Sequence, residues 1–159
     1  MRVMAIVCLA FVVSAFVACG GETANAPPAT PPAGTTASTT SAEPTTFAEQ
    51  VTAGQKLYGD KCASCHGAAG EGTKGPRVVG LDKGALPLDP PATAKFRKTQ
   101  FHTAADVAQF AVASMPPGAG GSLKESEYWS ILAFDLHANG VDLPNKLDGS
   151  NAKDVVIHR

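Results

Sequence analysis

Residues 62–66 of this chain read Cys62-Ala63-Ser64-Cys65-His66, a CxxCH sequence. This pattern is typical of the site at which a haem is attached covalently through two cysteine side chains. Two cysteines three residues apart on one helical turn can both reach the edge of a single porphyrin, and the imidazole that follows can bond to the iron. The sequence therefore predicts one covalently bound haem c, with His66 as the fifth ligand of its iron.

Three other uses of a cysteine pair compete with haem attachment. A structural zinc site needs four Cys or His ligands, but the two remaining cysteines, Cys8 and Cys19, belong to the N-terminal segment. A thioredoxin-like redox pair occurs near a βαβ pattern, whereas this pair lies between one helical segment and a glycine-rich stretch. A plain disulfide would leave the adjacent His66 without a role. Haem attachment is favoured because it uses all three side chains.

The N-terminal residues resemble an export signal. Residues 1–19 read MRVMAIVCLAFVVSAFVAC, one early positive charge followed by an apolar run that is shorter than a membrane span. Residues 17–20, VACG, resemble a bacterial lipobox, and this resemblance implies that Cys19 is lipidated and becomes the mature N-terminus. The alternative is ordinary cleavage at the A-x-A sequence of residues 24–26, which would leave a soluble periplasmic protein.

Composition then divides the rest of the chain. Residues 20–46 are almost wholly Ala, Pro, Thr, Gly and Ser and contain no large apolar side chain, a composition typical of a disordered tether. We expect one folded domain over residues 47–145 and a C-terminal extension over residues 146–159. The formal net charge of −1 gives no indication of nucleic-acid binding.

Three helices are predicted in the folded part. Apolar side chains recur at helical spacing over residues 47–61, which predicts a first helix. A capping box that begins at Thr103 predicts a second helix, which ends before Met115. A further capping box at Ser122, followed by a long apolar stripe, predicts a third helix that ends at Asn139-Gly140.

The remaining segments are predicted to be mainly loop. Residues 67–100 are rich in Gly and Pro and show neither helical nor strand periodicity, and a compact domain needs a ligand for so long a loop to wrap around. Residues 154–158 are expected to form a short strand or a docked tail. The fold class that follows is mostly α, with three or more helices and long loops wrapped around one covalently attached haem.

Residues 47–140 resemble class I c-type cytochromes, which carry a single haem with His/Met ligation. In that family a glycine and an aromatic residue that precede the first cysteine pack on the C-terminal helix. Gly54 and Tyr58 match these two positions, and Ile131 and Phe134 look like their partners. The resemblance implies a small cytochrome c fold in which the first and last helices cross closely.

The same resemblance implies a set of haem-binding residues. The family carries a Gly-Pro after the motif, matched here by Gly75-Pro76, and a backbone carbonyl there is expected to accept the Nδ1 proton of His66. Family pattern and ligand chemistry together favour Met115 as the sixth ligand. Arg77 is expected to bind the haem through a propionate. The alternative sixth ligands are His102, His137 and His158.

His/Met ligation fills both axial positions, so the chemistry implied is outer-sphere electron transfer rather than activation of oxygen or peroxide. We predict a membrane-tethered electron carrier on the periplasmic side, whose haem cycles between Fe(II) and Fe(III). Redox proteins are the expected partners, and no small-molecule substrate is expected. Candidate docking side chains around the haem edge are Lys61, Lys74 and Arg77.

An alternative function comes from the C-terminal half. Residues 115–140 are similar to the cytochrome subunits of sulfite dehydrogenases, which implies a haem subunit that accepts electrons from a separate catalytic polypeptide. A haem gas sensor or peroxidase is a third class, and it would require a labile bond between Met115 and the iron.

Overall fold

The computed structural model describes residues 42–80, 85, 88–95 and 97–158. The predicted signal segment, the lipidation of Cys19 and the tether up to residue 41 lie outside the described residues. The described part is mostly helical, which confirms the predicted fold class. In chain order its elements are α1 (Phe47–Lys61), α2 (Ala63–His66), α3 (Ala104–Ser114), α4 (Glu125–Ala138) and a 3-10 helix (Ala152–Asp154).

Side-chain caps fix where the long helices begin. Thr46 and Glu49 form a capping box at the start of α1, since the Glu49 amide donates to the Thr46 hydroxyl and the Glu49 carboxylate accepts from the Thr46 amide. At α3 the Asp106 carboxylate accepts from the Thr103 amide at 2.8 Å, so the predicted start at Thr103 is confirmed.

The predicted cap of α4 at Ser122 is wrong. The cap lies two residues later, at Lys124, and the helix begins at Glu125, because the Glu127 carboxylate accepts from the Lys124 amide at 2.8 Å. Glu125, which the prediction placed in the capping box, instead accepts from the indole of Trp129 at 3.1 Å. Ser122 belongs to the turn before the helix, where its amide donates to Ala119.

Helices α1 and α4 cross at backbone contact. A Cβ atom at Gly54 would lie 1.8 Å from the carbonyl oxygen of Ser130 and 3.1 Å from the amide nitrogen of Ile131, so only glycine allows this approach. One turn further along α1, the ring of Tyr58 packs on Phe134 with the centroids 5.1 Å apart. The close helix crossing that the family resemblance implied is therefore confirmed.

The hydrophobic core lies between α1, α3, α4 and the C-terminal residues. Its buried members are mostly small or medium side chains: Phe47, Ala104, Ala108, Leu132, Ala133, Leu136, Leu147 and Ala152. The side-chain amide of Gln50, 1% exposed, donates to the carbonyl of Leu147 at 2.8 Å and accepts from its amide at 2.7 Å. Residues 146–158 thereby pack into the same core as α1.

The last described residues form the docked tail that the sequence predicted. Val155 accepts from the amide of Ala104 at 2.9 Å, and Ile157 donates to the carbonyl of His102 at 2.9 Å. A single antiparallel bridge joins Thr103 and Val156. None of the helices within the described ranges has the length and apolar character needed to cross a bilayer.

Candidate haem-binding site

The CxxCH sequence forms one isolated helical turn directly after α1. Cys62 ends α1, since its amide donates to the Tyr58 carbonyl at 2.8 Å, and its own carbonyl begins α2 by accepting from the His66 amide at 2.9 Å. Cys62, Cys65 and His66 are partly exposed. No disulfide joins Cys62 and Cys65. One turn thus presents two thiols and one imidazole together.

The His66 ring is held in a single tautomer. Its Nδ1 lies 2.7 Å from the carbonyl oxygen of Pro76, and because a carbonyl can only accept, Nδ1 carries the proton. Nε2 is then left with a free lone pair, the form in which imidazole binds a metal. The predicted hydrogen bond between the Gly75-Pro76 segment and His66 is present.

There is little room for a side chain beside this ring. A Cβ atom at Gly75 would lie 3.0 Å from Cε1 of His66, 3.1 Å from Nδ1 and 3.2 Å from the Cys65 carbonyl oxygen. That carbonyl accepts from the Gly75 amide and from the Thr73 hydroxyl, each at 2.7 Å. The loop is therefore bonded to the turn that carries the thiols, and it sets the direction of His66.

The loop is also anchored to the end of α4. The side-chain amide of Asn139 donates to the carbonyl of Val78 at 3.1 Å, and its oxygen accepts from the amide of Gly80 at 2.9 Å. Helix α4 itself ends in a Schellman motif, in which Gly140 has φ +82° and the amide of Val141 donates to Leu136. The sequence indicated only that Asn139-Gly140 stops the helix.

Burial dominates the electrostatics around Cys62. It raises the pKa of the Cys62 thiol to about 11, and the carboxylate of Asp135 adds to this shift. The Cys62 side chain is therefore a neutral thiol at neutral pH. A neutral thiol can add across a vinyl double bond, where sulfur bonds to one carbon and hydrogen to the other, and the product is a thioether.

Met115 lies at the C-terminal end of α3, in a loop with its own hydrogen bonds. The Tyr128 hydroxyl donates to the Met115 carbonyl at 2.7 Å and accepts from the Gly121 amide at 3.1 Å. Tyr128 is buried, with 7% of its surface exposed. A Cβ atom at Gly120 would lie 2.4 Å from the carbonyl oxygen of Ala113, so the loop folds back on α3.

The remaining predicted residues divide between loop and surface. Arg77 is partly buried and donates to the Val79 carbonyl at 3.4 Å within its own loop. Lys61 and Lys74 are exposed, as docking residues must be. The alternative axial ligands are also exposed: His102, His137 and His158. Met115, by contrast, is partly buried.

Sequence reasoning missed two residues that hold the loops of the site, Tyr128 and Asn139, and one buried arginine elsewhere, Arg97. Tyr128 and Asn139 were assigned only to the α4 pattern, because a hydrogen bond to a distant loop leaves no local periodic signal. Arg97 is 6% exposed, its guanidinium lies 3.9 Å from the centre of the Phe101 ring, and it donates to the Leu88 carbonyl at 2.9 Å. A single arginine within a loop gave no indication of this burial.

Two cysteines on one turn, an imidazole with Nε2 free, and a glycine that leaves room beside the ring are the features of a c-type cytochrome. These residues fit a covalently attached haem. Residues 49–134 match the family described as cytochrome c oxidase, cbb3-type, subunit III. The chain belongs to this family of c-type cytochrome domains, whose cofactor is covalently bound haem c.

Two relatives of this chain are thiosulfate dehydrogenases. It is 31% identical over 107 residues to a thiosulfate dehydrogenase of Stutzerimonas stutzeri, a match that covers 65% of this chain and 32% of that protein. A thiosulfate dehydrogenase of Allochromatium vinosum is 35% identical over 89 residues, which cover 52% of this chain and 29% of that protein. The chain thus spans about a third of these relatives.

A solved structure is similar as well. The crystal structure of the sulfane dehydrogenase SoxCD from Paracoccus pantotrophus matches with a TM-score of 0.50 and 27% sequence identity, over 67% of this chain and 52% of that chain. The predicted class, a c-type cytochrome, is confirmed, and the predicted similarity to sulfite dehydrogenase cytochromes is found as a similarity to thiosulfate and sulfane dehydrogenases.

Proposed function

We propose that this chain is a one-electron carrier whose single haem c is bonded to Cys62 and Cys65 and ligated by His66 and Met115. The observation that carries the proposal is the 2.7 Å contact between Nδ1 of His66 and the Pro76 carbonyl. This contact leaves Nε2 free on the same turn as two free thiols. When bound, the haem supplies an iron that alternates between Fe(II) and Fe(III).

The protein residues in this mechanism hold ligands in place and exclude others. The Pro76 carbonyl fixes the His66 ring and increases its basicity, while Tyr128 fixes the backbone of Met115 from the opposite side of the loop. With His66 and Met115 both bound to it, the iron would have no open site for oxygen or peroxide. Arg77 would pair with a haem propionate if it releases its bond to Val79.

The carrier is proposed to act on the periplasmic side, tethered by a lipid on Cys19, with the alternative of a soluble periplasmic form. Its partners are other redox proteins, which dock near the exposed Lys61 and Lys74. The second candidate function is the electron-accepting haem subunit of a multi-subunit sulfur-compound dehydrogenase. The similarity to thiosulfate and sulfane dehydrogenases favours that candidate.

The ligand assignment is tested with Met115→Ala in the holoprotein. The haem should stay attached, the reduction potential should fall, and the ferrous protein should bind carbon monoxide, since the thioether no longer fills the sixth position. His102→Ala, at an exposed alternative ligand, is the matched control and should bind no carbon monoxide. Carbon monoxide binding by His102→Ala and not by Met115→Ala would reverse the assignment.

The anchor and the partners need separate experiments. Mass spectrometry of the mature N-terminus should show diacylglycerol on Cys19, and Cys19→Ala should release the protein from membranes. A mature N-terminus that begins at Pro27 would contradict lipidation. Purification from native membranes then separates the two functions, because a subunit keeps its catalytic partner through size-exclusion chromatography and a freestanding carrier does not.

A further inference from the structure

One oxygen of a carboxyl group lies buried without a partner near the haem attachment turn. Oδ1 of Asp135, on α4, is shielded from solvent and accepts no hydrogen bond from any residue that the structure describes. The hydroxyl of Tyr58, on α1, is likewise shielded from solvent and has no hydrogen-bond partner among the described residues. Asp135 follows Phe134, whose ring packs on Tyr58 at 5.1 Å. Both unpaired polar atoms therefore belong to the region where α1 crosses α4.

The titratable groups near Asp135 and Tyr58 come from α1, from the turn after it and from the loop after α2. Burial first, and the Asp135 carboxylate next, raise the pKa of both the Tyr58 hydroxyl and the Cys62 thiol. Glu71, in the loop after α2, contributes a smaller rise at Tyr58. All these neighbours are neutral or acidic, so none of them stabilises a negative charge on Asp135.

The neighbours on α4 do not neutralise the carboxylate either. The Asn139 side chain donates to the backbone carbonyl of Asp135 at 2.8 Å, not to its carboxyl group. His137 is exposed and contacts the Asp142 carboxylate at 2.6 Å. Two ion pairs within the described ranges join His102 to Asp89 and His137 to Asp142, and burial is the cause of the shifted pKa at Asp135, with no contribution from a nearby cation among the described residues.

Burial without a compensating cation raises the pKa of Asp135 to about 7. A carboxyl group of this kind changes its charge close to neutral pH, whereas an exposed aspartate is ionised throughout that range. Tyr58 keeps its proton near neutrality because its pKa is raised, and a thioether at Cys62 has no proton to lose. Asp135 is thus the member of this group that can exchange a proton.

We propose that Asp135 binds a proton when the attached haem is reduced and releases it when the haem is oxidised, so that this cytochrome moves a proton with its electron. In the forward step one electron from a redox partner converts Fe(III) to Fe(II), and one proton from solvent converts the Asp135 carboxylate to the acid. Oxidation by the next partner reverses both changes. The proposal rests on haem attachment at Cys62 and Cys65.

The coupling has an electrostatic cause. Fe(III) carries one more positive charge than Fe(II), and it stabilises a nearby carboxylate more than Fe(II) does. Charges separated by protein interior interact more strongly than charges separated by water. The oxidised protein therefore favours ionised Asp135, and the reduced protein favours the neutral acid.

The test is the pH dependence of the reduction potential of the holoprotein, measured by spectroelectrochemistry from about pH 5 to pH 9, a range that brackets the Asp135 titration. The wild-type potential should fall as pH rises through neutrality, with a limiting slope of about 59 mV per tenfold change in proton concentration for one proton per electron. Asp135→Asn, which resembles the neutral acid, should hold the low-pH potential at every pH.

Two control variants isolate the carboxyl group. Asp60→Asn removes an exposed aspartate two residues before Cys62 and should keep the wild-type slope. Tyr58→Phe removes the neighbouring unpaired hydroxyl and should keep the slope too. Redox-difference infrared spectroscopy should show a protonated carboxyl band in the reduced wild type that Asp135→Asn lacks. This band distinguishes proton binding at Asp135 from a structural effect of the substitution.

The possible failures are distinguishable. A flat wild-type potential, or a slope that persists in Asp135→Asn, overturns proton coupling at Asp135 and leaves electron transfer by the haem intact. A wild-type protein without the visible absorption bands of a c-type haem contradicts both this inference and the proposed ligand set.

Discussion

The substitution Gly54→Ala should separate the two helices that support the haem turn. The new Cβ atom would lie 1.8 Å from the Ser130 carbonyl oxygen, a backbone atom that cannot rotate away. Since real Cβ contacts are not shorter than 3.0 Å, α1 and α4 must move apart by more than 1 Å. This movement also loosens the contact between Tyr58 and Phe134.

The expected cost follows from two opposing effects. Overpacking of a tight contact typically costs about 1–3 kcal/mol, and a clash with backbone belongs at the upper end of that range. Alanine recovers about 1 kcal/mol of helix propensity. The free energy of unfolding should therefore fall by about 2 kcal/mol, which lowers the melting temperature of a domain of this size by roughly 8–15 °C.

Gly59→Ala provides a matched control on the same helix. Gly59 is exposed, and a Cβ atom there would have no neighbour within 4 Å. Gly59→Ala should raise the free energy of unfolding of the holoprotein by about 0.5–1 kcal/mol. The melting temperatures of the two alanine variants should therefore shift in opposite directions. Thermal unfolding followed by far-ultraviolet circular dichroism measures both. Equal stability of Gly54→Ala and the wild type would refute the argument from close helix contact.

Three further predictions concern single side chains. Gln50→Ala leaves the buried amide and carbonyl of Leu147 unpaired and should lower the free energy of unfolding by about 3 kcal/mol. Gln55→Ala, at an exposed position of the same helix, should not lower it. Equal losses for the two variants in chemical denaturation would contradict this. Gly75→Ala places a Cβ atom against the His66 ring and displaces it from the Pro76 carbonyl, which should lower the free energy of unfolding by about 1–3 kcal/mol. The reduction potential should rise because the imidazole becomes less basic without this hydrogen bond. An unchanged potential would argue against this role of Gly75.

The third prediction concerns the pH dependence of the stability of the protein. The pKa of Asp135 rises from 3.8 to about 7 on folding, so the folded protein favours the protonated acid. The contribution of Asp135 to stability is therefore complete below about pH 4 and is lost as pH rises through 7. The loss in unfolding free energy is at most about 4 kcal/mol. Asp135→Asn should therefore flatten the dependence of unfolding free energy on pH, and above pH 7 it should exceed the wild type in stability.

Local sequence patterns predicted the helices and the attachment turn well. Helix α1 has the predicted bounds, because its apolar spacing and its end at Cys62 are both local. The start of α4 was misplaced, since Glu127 and Glu125 are both acidic residues near the helix start and only the structure shows which carboxylate returns to the backbone. The links from Tyr128 to Met115 and from Gln50 to Leu147 join distant residues, which no local pattern can indicate.

The bond between Gln50 and Leu147 spans 97 positions of the chain. During synthesis, the partner of Gln50 leaves the ribosome long after α1 is complete, since residues emerge in order from the N-terminus. The turn at Cys62–His66, by contrast, is held by partners no further along than Pro76. The residues that receive the cofactor can thus take their native shape early, while the hydrophobic interior closes only after the C-terminal residues have emerged.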